Sequence, residues 1–360
     1  MMLTLLEASA GHHLLTPIWF ILISVLWTGF FFLEGFDFGV AMLLPIMGRS
    51  DRRKRAMVNT IGPVWDGNEV WLLTAGGAMF AAFPGWYATL FSGLYLPLLL
   101  VLLGLIIRGV AFEYRSKHPD STWRNTFDWM ATIGSFLPSL VLGVGFANFV
   151  KGIPVGGNPP LVTSSFWSLF SPFALLGGVL FVVLFCAHGA IFLALKTRGE
   201  LHEDAKALGS KLALVAGALL LVFGIWMNIA YGKSNAMMHT LTWILMTLAG
   251  LSVLAAGYLV GKGKDSAAFL STGVGIMAMI VSFFLTMYGN LGFISSGQPG
   301  LDMWSASSSP YTLKIMTVAA AIFVPVVLGY QIWTYWVFRR RISVDNMPDD
   351  MAAEPAAATA

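Results

Sequence analysis

Long apolar stretches alternate with short, mostly basic loops along this chain. Nine stretches are long enough to cross a bilayer as helices, since about 20 apolar residues span its hydrocarbon core. Their approximate bounds are 17–46, 60–83, 87–113, 127–150, 166–195, 211–231, 237–261, 267–289 and 312–338. The runs are continuous rather than alternating, which argues against a β-barrel. The pattern predicts an all-α integral membrane protein with nine transmembrane helices.

Composition agrees with this class and narrows the chemistry. Hydrophobic residues make up 57% of the chain and charged residues only 11%, against roughly 25% charged residues in soluble domains. The single cysteine, Cys186, excludes an intrachain disulfide and any cysteine-built metal cluster. No haem-attachment, phosphate-loop or zinc-protease motif occurs. We therefore predict no metal site in this chain and no nucleic-acid partner.

The basic residues predict the orientation of the helices. Of the 21 Lys and Arg residues, 17 lie in the loops that follow the first, third, fifth, seventh and ninth segments. Positive loops stay in the cytoplasm. We expect a multi-pass membrane protein with its N-terminus outside and its C-terminus in the cytoplasm. One polytopic domain, 1–340, is then followed by a disordered cytoplasmic tail, 341–360, because the last residues are of low complexity.

A weak internal similarity suggests how the helices are grouped. The stretch FFFLEGFDFGV of the first segment resembles LFCAHGAIFLA of the fifth, with Glu34-Gly35 opposite His188-Gly189. Two related four-helix bundles, 17–150 and 166–289, with 312–338 as an extra helix, would explain this. Gly35 and Gly39 also form a G-x-x-x-G step, which lets a neighbouring helix approach closely.

Five charged residues lie inside the apolar segments, where each costs at least about 2.5–3.5 kcal/mol. They are Glu34, Asp37, Asp66, Glu69 and Arg108. The predicted topology places all five in the cytoplasmic half of the membrane. Such a cluster indicates a proton or ion path that opens inward. The alternative is a structural ion pair in which Arg108 neutralises an acid.

Haem ligation by this chain has little support in the sequence. His188 is the one histidine well inside a segment, and His239 lies near the edge of another. Either could ligate a haem iron. A lone histidine on an apolar helix is more often a hydrogen-bonded packing residue, and we favour that interpretation.

Several motifs together resemble subunit II of cytochrome bd-type quinol oxidases. They are GFDFGV (35–40), WDGNEVWLLTAGGAMFAAFP (65–84), FEYRSK (112–117), TWRNTFDW (122–129), GSFLPSLVLGVGFANFVKGIP (134–154), TRGEL (197–201) and MWSASSSPYTLKIMT (303–317). The resemblance extends from the first to the ninth segment. Residues 205–295 match the family in hydropathy and offer few distinctive motifs.

The resemblance implies a haem-free subunit of an oxidase in a bacterial plasma membrane that oxidises quinol and reduces oxygen to water. The partner, subunit I, would carry haem b and haem d, and this subunit would stabilise it. A structural quinone is compatible with the family, and the quinone-contact residues and a small single-helix subunit stay open. Protons would be drawn from the cytoplasm, and a proton-motive force would arise without pumping.

Particular residues take roles by this resemblance. Asp66 and Asp37 would lie on the proton path, with Glu34 and Glu69 beside them. Trp65 and Arg108 would lie on the side facing the haems of the partner. Two other interpretations stay open: a secondary transporter that uses the acids as a coupling-ion site, and a scaffold whose acids are only structural. Gly76-Gly77 is the conspicuous candidate for the helix break that transporters tend to have.

Overall fold

The protein is mostly helical in the computed structural model, which describes residues 2–232, 235–295 and 301–347, with side chains from residue 14 onwards. The helices are α1 (Met2–Met42), α2 (Leu44–Met47), α3 (Asp51–Ile61), α4 (Trp65–Ala82), α5 (Pro84–Gly93), α6 (Tyr95–Tyr114), α7 (Ser121–Lys151), α8 (Pro172–Lys196), α9 (Glu200–Tyr231), α10 (Ala236–Gly261), α11 (Asp265–Met287) and α12 (Pro310–Val337).

Eight helices in the described part of the chain are long and apolar enough to cross a membrane. They are α1 from Leu14 onwards and α6 to α12. This supports the prediction of an all-α integral membrane protein with several crossings. Helix α4 is absent from this group because Asp66, Asn68 and Glu69 lower its hydropathy. Its 18 residues extend about 27 Å at 1.5 Å per residue, so a ninth crossing by α4 stays a prediction.

Several predicted boundaries differ from the observed ones. The third predicted segment, 87–113, is two helices, α5 and α6, which separate at Leu94. The fifth begins at Pro172 rather than 166, because Ser171 accepts a hydrogen bond from the Ala174 amide and caps the helix there. The sixth begins at Glu200 rather than 211. A search for apolar runs misses its polar first turns, although they are helical.

Helix α4 is continuous through Gly76 and Gly77. A Cβ atom at either position would meet nothing within 4 Å. The sequence alone suggested a helix break here. Both glycines instead lie on an open face of an unbroken helix, so α4 has no transporter-like break at this position.

Neighbouring helices pack side by side from α6 to α11, and α1 lies against α4, α7, α8, α11 and α12. Phenylalanines fill the space around α1. Phe31 contacts Phe146 at 5.1 Å and Phe181 at 5.2 Å between ring centroids. Edge-on aromatic packing of this kind adds about 0.5–1.5 kcal/mol per pair to simple area burial.

Helices α1 and α8 approach most closely where two glycines face each other. A Cβ atom on Gly39 would lie 1.9 Å from the Phe185 carbonyl oxygen, and one on Gly189 would lie 2.5 Å from Val40 N. The Phe185 ring lies against Gly35 in the same way, since a Cβ atom on Gly35 would lie 2.9 Å from that ring. The G-x-x-x-G prediction is therefore confirmed, with α8 as the neighbouring helix.

Helix α12 lies on the outside of the helix bundle. None of its most apolar window is buried, and polar contacts fasten it near both ends. Near its start, the Trp19 indole donates to Thr317 Oγ1 at 3.1 Å. Near its end, the Tyr335 hydroxyl donates to Asn68 Oδ1 at 2.8 Å.

An ion-pair network joins the helices at what we call the basic end of the bundle, where α1, α6, α8 and α12 end. Asp51 accepts hydrogen bonds from Arg115 and Arg124, each at 2.7 Å. Asp128 accepts from Arg115 Nε at 2.5 Å and pairs with Lys54 Nζ at 2.9 Å. The basic loops are therefore held in place by carboxylates from α3 and α7.

Burial alone raises the pKa of Asp51, but the hydrogen bonds and positive charges of Arg115 and Arg124 outweigh it. The pKa of Asp51 therefore lies below its ordinary value of 3.8. A carboxyl whose folded-state pKa is depressed stabilises the fold above its unfolded-state pKa. That stabilisation is lost as the pH falls through the lower, folded-state value.

The chain after α12 returns to the basic end. The Ile342 amide donates to the Lys196 carbonyl at 2.8 Å, and the Met347 carbonyl accepts from Arg52 Nη2 at 2.9 Å. Residues 341–347 of the expected disordered tail therefore pack against the bundle. Residues 348–360 of that tail lie outside the described residues.

A small sheet lies at the opposite end of the bundle. It contains β1 (Ile153–Gly156), β2 (Leu161–Val162) and β3 (Phe293–Ile294) in the order β2-β1-β3. Strand β1 pairs antiparallel with β2 and parallel with β3. The sheet joins the loop after α7 to the loop after α11, a contact that hydropathy could not indicate.

The replacement Gly189→Ala should destabilise the protein, because its Cβ atom would overlap backbone atoms of α1 that cannot turn away. Overpacking of this kind costs about 1–3 kcal/mol. The melting temperature of the detergent-purified protein should fall. Gly145→Ala is the matched control, since its Cβ atom would meet nothing within 4 Å. Equal melting temperatures for the two variants would contradict a close α1–α8 contact.

The replacement Asp51→Asn should lower the melting temperature at neutral pH, because three helices lose a shared carboxylate. The difference from the unchanged protein should persist down to about pH 5. It should shrink below pH 3.8, where Asp51 of the unfolded chain becomes protonated, and vanish at still lower pH, where Asp51 of the folded protein does. Thermal melts across that range are the measurement. A difference that does not depend on pH would show that the Asp51 charge is unimportant. Glu113→Gln, at an exposed position of α6, is the control.

Candidate functional site

A buried arginine joins carboxylates from two helices. Arg108 of α6 donates from Nη1 to Glu34 Oε1 of α1, and from Nη2 to Glu69 Oε2 of α4 at 2.7 Å. The Arg108 and Glu34 side chains are fully buried, and 22% of the Glu69 side chain is exposed. Three helices are thus tied together by one guanidinium, whose planar fork suits two carboxylates.

Asp37 lies one turn after Glu34 on α1 and takes part in a second set of hydrogen bonds. Its Oδ2 atom accepts from Asn68 Nδ2 at 2.7 Å. The other side of the Asn68 amide accepts from the Tyr335 hydroxyl at 2.8 Å and from Gln331 Nε2 at 3.3 Å. Gln331 in turn accepts from the Trp71 indole at 2.8 Å. The acid of α1 is therefore linked to α12 through α4.

Aromatic rings surround the guanidinium on its remaining side. The Arg108 Cζ atom lies 4.7 Å from the Phe38 centroid, 5.8 Å from that of Phe112 and 6.0 Å from that of Trp65. Such cation–π contacts reach about 2 kcal/mol when they are desolvated. Trp65 is half-buried and packs edge-on against Phe112 at 5.5 Å. The rings shield the ion pairs from the surrounding apolar phase.

Two carboxylate oxygens in this cluster have no donor among the described residues. They are Glu34 Oε2 and Asp37 Oδ1, and both are buried. Buried polar atoms usually have a hydrogen-bond partner, and an unsatisfied one costs about 1–3 kcal/mol. A water molecule would supply the missing hydrogen bond, and a proton on either oxygen would remove the charge of its carboxylate. These atoms are therefore the chemically available positions of the cluster.

Asp66 is placed differently from the other acids. It lies in the first turn of α4 and is exposed, and the described residues give it no hydrogen bond or ion pair. Glu34, Asp37, Glu69 and Arg108 thus come together, whereas Asp66 lies on the outward face of the same helix. The three-residue spacing predicts that Asp66 and Glu69 lie on the same side of α4. Glu69 does turn toward Arg108 in the bundle, but Asp66 lies on the exposed surface of the helix.

Sequence reasoning missed three members of the cluster. Asn68, Gln331 and Tyr335 are uncharged and do not stand out in a search for charges. Gln331 did carry a signal, because an amide inside an otherwise apolar helix is costly unless it is bonded. Asn68 also lies between two acids that had been noticed. Their joint location on α4 and α12 required the packing of the two helices.

His188 is a packing residue, as the sequence analysis favoured. Its Nδ1 lies 2.7 Å from Thr272 Oγ1 and its Nε2 lies 3.1 Å from the Phe32 carbonyl oxygen. The ring stacks on Phe269 with centroids 4.7 Å apart. Both nitrogens are occupied, so the residue does not suit haem ligation. Among the described residues, no group of three or more His, Cys, Asp or Glu side chains could hold a metal ion.

The replacement Arg108→Met should leave Glu34 as an unpaired buried carboxylate. Removing one partner of a buried ion pair costs about 3–5 kcal/mol. The yield and melting temperature of the purified protein should drop sharply, and the double change Glu34→Gln with Arg108→Met should recover part of the loss. Lys117→Met, at an exposed position after α6, should have little effect. No recovery in the double variant would contradict a direct Glu34–Arg108 dependence.

The comparisons with known proteins agree with one another. Residues 15–338 match the family model described as cytochrome bd terminal oxidase subunit II. The chain is 40% identical over 337 residues to cytochrome bd ubiquinol oxidase subunit 2 of Bacillus subtilis, covering 91% of this chain and 97% of that one. It is 36% identical over 368 residues to cytochrome bd-I ubiquinol oxidase subunit 2 of Escherichia coli K12, covering 93% and 97%.

A solved structure shows that the fold is shared as well. A chain of the bd oxidase from Geobacillus thermodenitrificans superposes with a TM-score of 0.75, over 90% of this chain and 98% of the other. Its sequence identity is only 16%, so the likeness there concerns the fold alone. The family match and the relatives above 30% identity decide the assignment. This chain belongs to the cytochrome bd terminal oxidase subunit II family.

Proposed function

We propose that this chain acts as subunit II of a quinol oxidase complex and carries protons from the cytoplasm toward the oxygen-reducing centre of subunit I. The observation that carries the proposal is the buried cluster of Glu34, Glu69 and Arg108 with Asp37 beside it. Family membership makes the chain a subunit of a quinol oxidase. The proton-uptake role is our inference from the cluster.

Charge counting supports a proton-carrying role. Glu34, Asp37 and Glu69 face a single cation, Arg108. An uncompensated buried charge costs several kcal/mol, so a proton bound within the cluster balances the surplus of carboxylates. Glu34 Oε2 and Asp37 Oδ1 are the buried oxygens open to it. Carboxyl groups that can gain and lose a proton inside a membrane are the usual components of a proton relay.

The entry to this path would lie on α4. Asp66 is exposed in the first turn of α4, and Glu69 one turn later is partly exposed and bonded to Arg108. With the basic end of the bundle in the cytoplasm, as the loop charges favour, both acids would face the cytoplasmic side. Protons would pass from Asp66 to Glu69 and then to Glu34 and Asp37. The N-terminus would be outside and the C-terminus in the cytoplasm.

The partner would cover the outward faces of α4, α6 and α12. Large apolar side chains are exposed along all three, including Leu73 at 66%, Ile106 at 57% and Val326 at 66%. Exposed apolar faces on a membrane helix contact either lipid or a partner. Asp66 lies on the α4 face, and a charge facing lipid is costly. We therefore assign this surface to subunit I, with Trp65 on its haem side and the fully buried Arg108 behind Trp65.

The remaining features follow the family. Haem b and haem d would be held by subunit I, which fits the fully bonded ring of His188 in this chain. Quinol oxidation near the outer face and proton uptake from the inner face would build the proton-motive force without a pump. The bound haems supply the electron transfer and the oxygen chemistry. A structural quinone and a small single-helix subunit are compatible with this assembly.

The helix arrangement is part of the same proposal. Helix α4 would be the ninth crossing, since Arg108 neutralises Glu69 and so reduces its cost in the membrane. Helices α1, α4, α5–α6 and α7 would form the first four-helix bundle. Helices α8 to α11 would form the second, and α12 would stand alone beside α1 and α4.

The replacement Asp37→Asn should slow quinol-driven oxygen consumption at least tenfold in the purified complex, because it removes a proton-carrying group while preserving the bond to Asn68. Asp66→Asn should slow it as well. The complex should be isolated through a tag on this chain, and its reduced-minus-oxidised spectrum should be unchanged in both variants. Glu200→Gln, in the first turn of α9 and exposed, is the matched control.

Each outcome discriminates between interpretations. Unchanged turnover in Asp37→Asn and Asp66→Asn would show that the acids are structural and that the subunit is a scaffold. A preparation without haem bands and without a second polypeptide would defeat the oxidase assignment itself. The cluster would then have to be tested as the coupling-ion site of a transporter.

A further inference from the structure

We propose that the basic end of the bundle contains a binding site for one anionic phospholipid, between the ends of α8 and α12 and the start of α11. A cavity of about 330 Å³ lies there. We call it the basic pocket. Its cationic lining consists of Lys196, Arg339 and Arg341, and its apolar lining includes Phe192, Leu195 and Phe338.

The location of the basic pocket is that of a lipid headgroup. Lys196 is the last residue of α8, and Arg339 follows the end of α12 by two residues. Helix α11 begins at Asp265. The ends of membrane-spanning helices lie at the boundary between the hydrocarbon and the headgroups. The pocket therefore lies at headgroup depth.

The charge of the basic pocket selects an anion. Arg341 is paired with Asp265 at 2.7 Å, and this pair is close to neutral. Lys196 and Arg339 have no carboxylate partner among the described residues, although each donates a hydrogen bond to a backbone carbonyl, of Phe338 and of Trp336 respectively. The site thus carries a surplus of two positive charges. Basic pockets between helices on the cytoplasmic side bind anionic lipid headgroups.

Both cations keep donors for a phosphate. Lys196 uses one of its three N–H groups on the Phe338 carbonyl. Arg339 uses one of its five on the Trp336 carbonyl, and its Cζ atom lies 4.3 Å above the Trp336 ring. Both residues line the pocket, and their other side-chain N–H groups have no partner among the described residues. Ser266 also lines the pocket and adds a hydroxyl.

A phospholipid fits the pocket better than a soluble anion does. A free phosphate would use the cations and leave the walls formed by Leu195 and Phe338 in contact with water. A glycerophospholipid uses both, because its phosphodiester meets Lys196 and Arg339 while its acyl chains cover the apolar wall. The shared chemistry is a phosphate ester, and the apolar wall assigns the site to the lipid.

The test is a binding measurement on the whole oxidase complex, purified through a tag on this chain and delipidated in detergent. Native mass spectrometry would titrate dioleoyl-phosphatidylglycerol and, separately, neutral dioleoyl-phosphatidylcholine. We expect the double variant Lys196→Gln with Arg339→Gln to bind the tightest-bound phosphatidylglycerol about thirtyfold more weakly. This is ~2 kcal/mol of binding free energy, at 1.4 kcal/mol per factor of ten. Lys117→Gln with Arg340→Gln is the charge-matched control, and it should change the affinity for phosphatidylglycerol less than threefold.

Three results would overturn the proposal. Equal losses in the two double variants would show diffuse surface attraction rather than a site. Equal affinity for phosphatidylcholine would show that the cations do not select the headgroup. Full displacement of phosphatidylglycerol by millimolar inorganic phosphate would assign the pocket to a soluble anion.

A second variant protects the test against misassembly. Leu195→Trp fills the apolar wall and keeps both cations. It should also weaken phosphatidylglycerol, whereas binding of inorganic phosphate should be unchanged. Undiminished lipid binding in Leu195→Trp would contradict the role of the wall. The proposal does not depend on proton uptake, since turnover is not its readout.

Discussion

The rest of the site depends on the charge balance around Arg108. A guanidinium buried among Phe38, Phe112 and Trp65 is tolerable only because carboxylates from α1 and α4 reach it. The same bonds make α4 acceptable within the helix bundle, although its first turns are polar. The pair also fixes the relative positions of α1, α4 and α6. Asp37 and Asn68, on two of these helices, meet as a consequence.

The cluster contains more acids than cations, so its charges are not fully compensated. One arginine satisfies parts of two carboxyl groups, and Asp37 is held by a neutral amide rather than by a charge. The cluster is therefore stable as an assembly while two of its oxygens stay unsatisfied. A fully matched set of ion pairs would only hold the helices together. An unmatched set leaves carboxylate oxygens at which a proton can bind, and this is the property on which the proposed proton path rests.

The basic end of the bundle uses charge for a different purpose. Asp51 and Asp128 neutralise arginines and a lysine of the basic loops, and they join α3, α6 and α7. Where no carboxylate reaches the cations, at Lys196 and Arg339 in the described part of the chain, the walls are apolar and the charge is available to an anion from outside the chain. The closed ion-pair network and the open basic pocket both lie at the basic end of the bundle.

Hydropathy and loop charge in the sequence determined the membrane class, most of the helices and the positions of the acids, because insertion into a bilayer acts on each segment separately. The family could be identified from the sequence because its motifs are short stretches of neighbouring residues. The exposure of Asp66, the link from Asp37 through Asn68 to Tyr335, the separation of α5 from α6 and the packed residues 341–347 required the tertiary structure. Each depends on which helices lie side by side, and that is decided by contacts such as Gly39 against Gly189, between residues far apart in the chain.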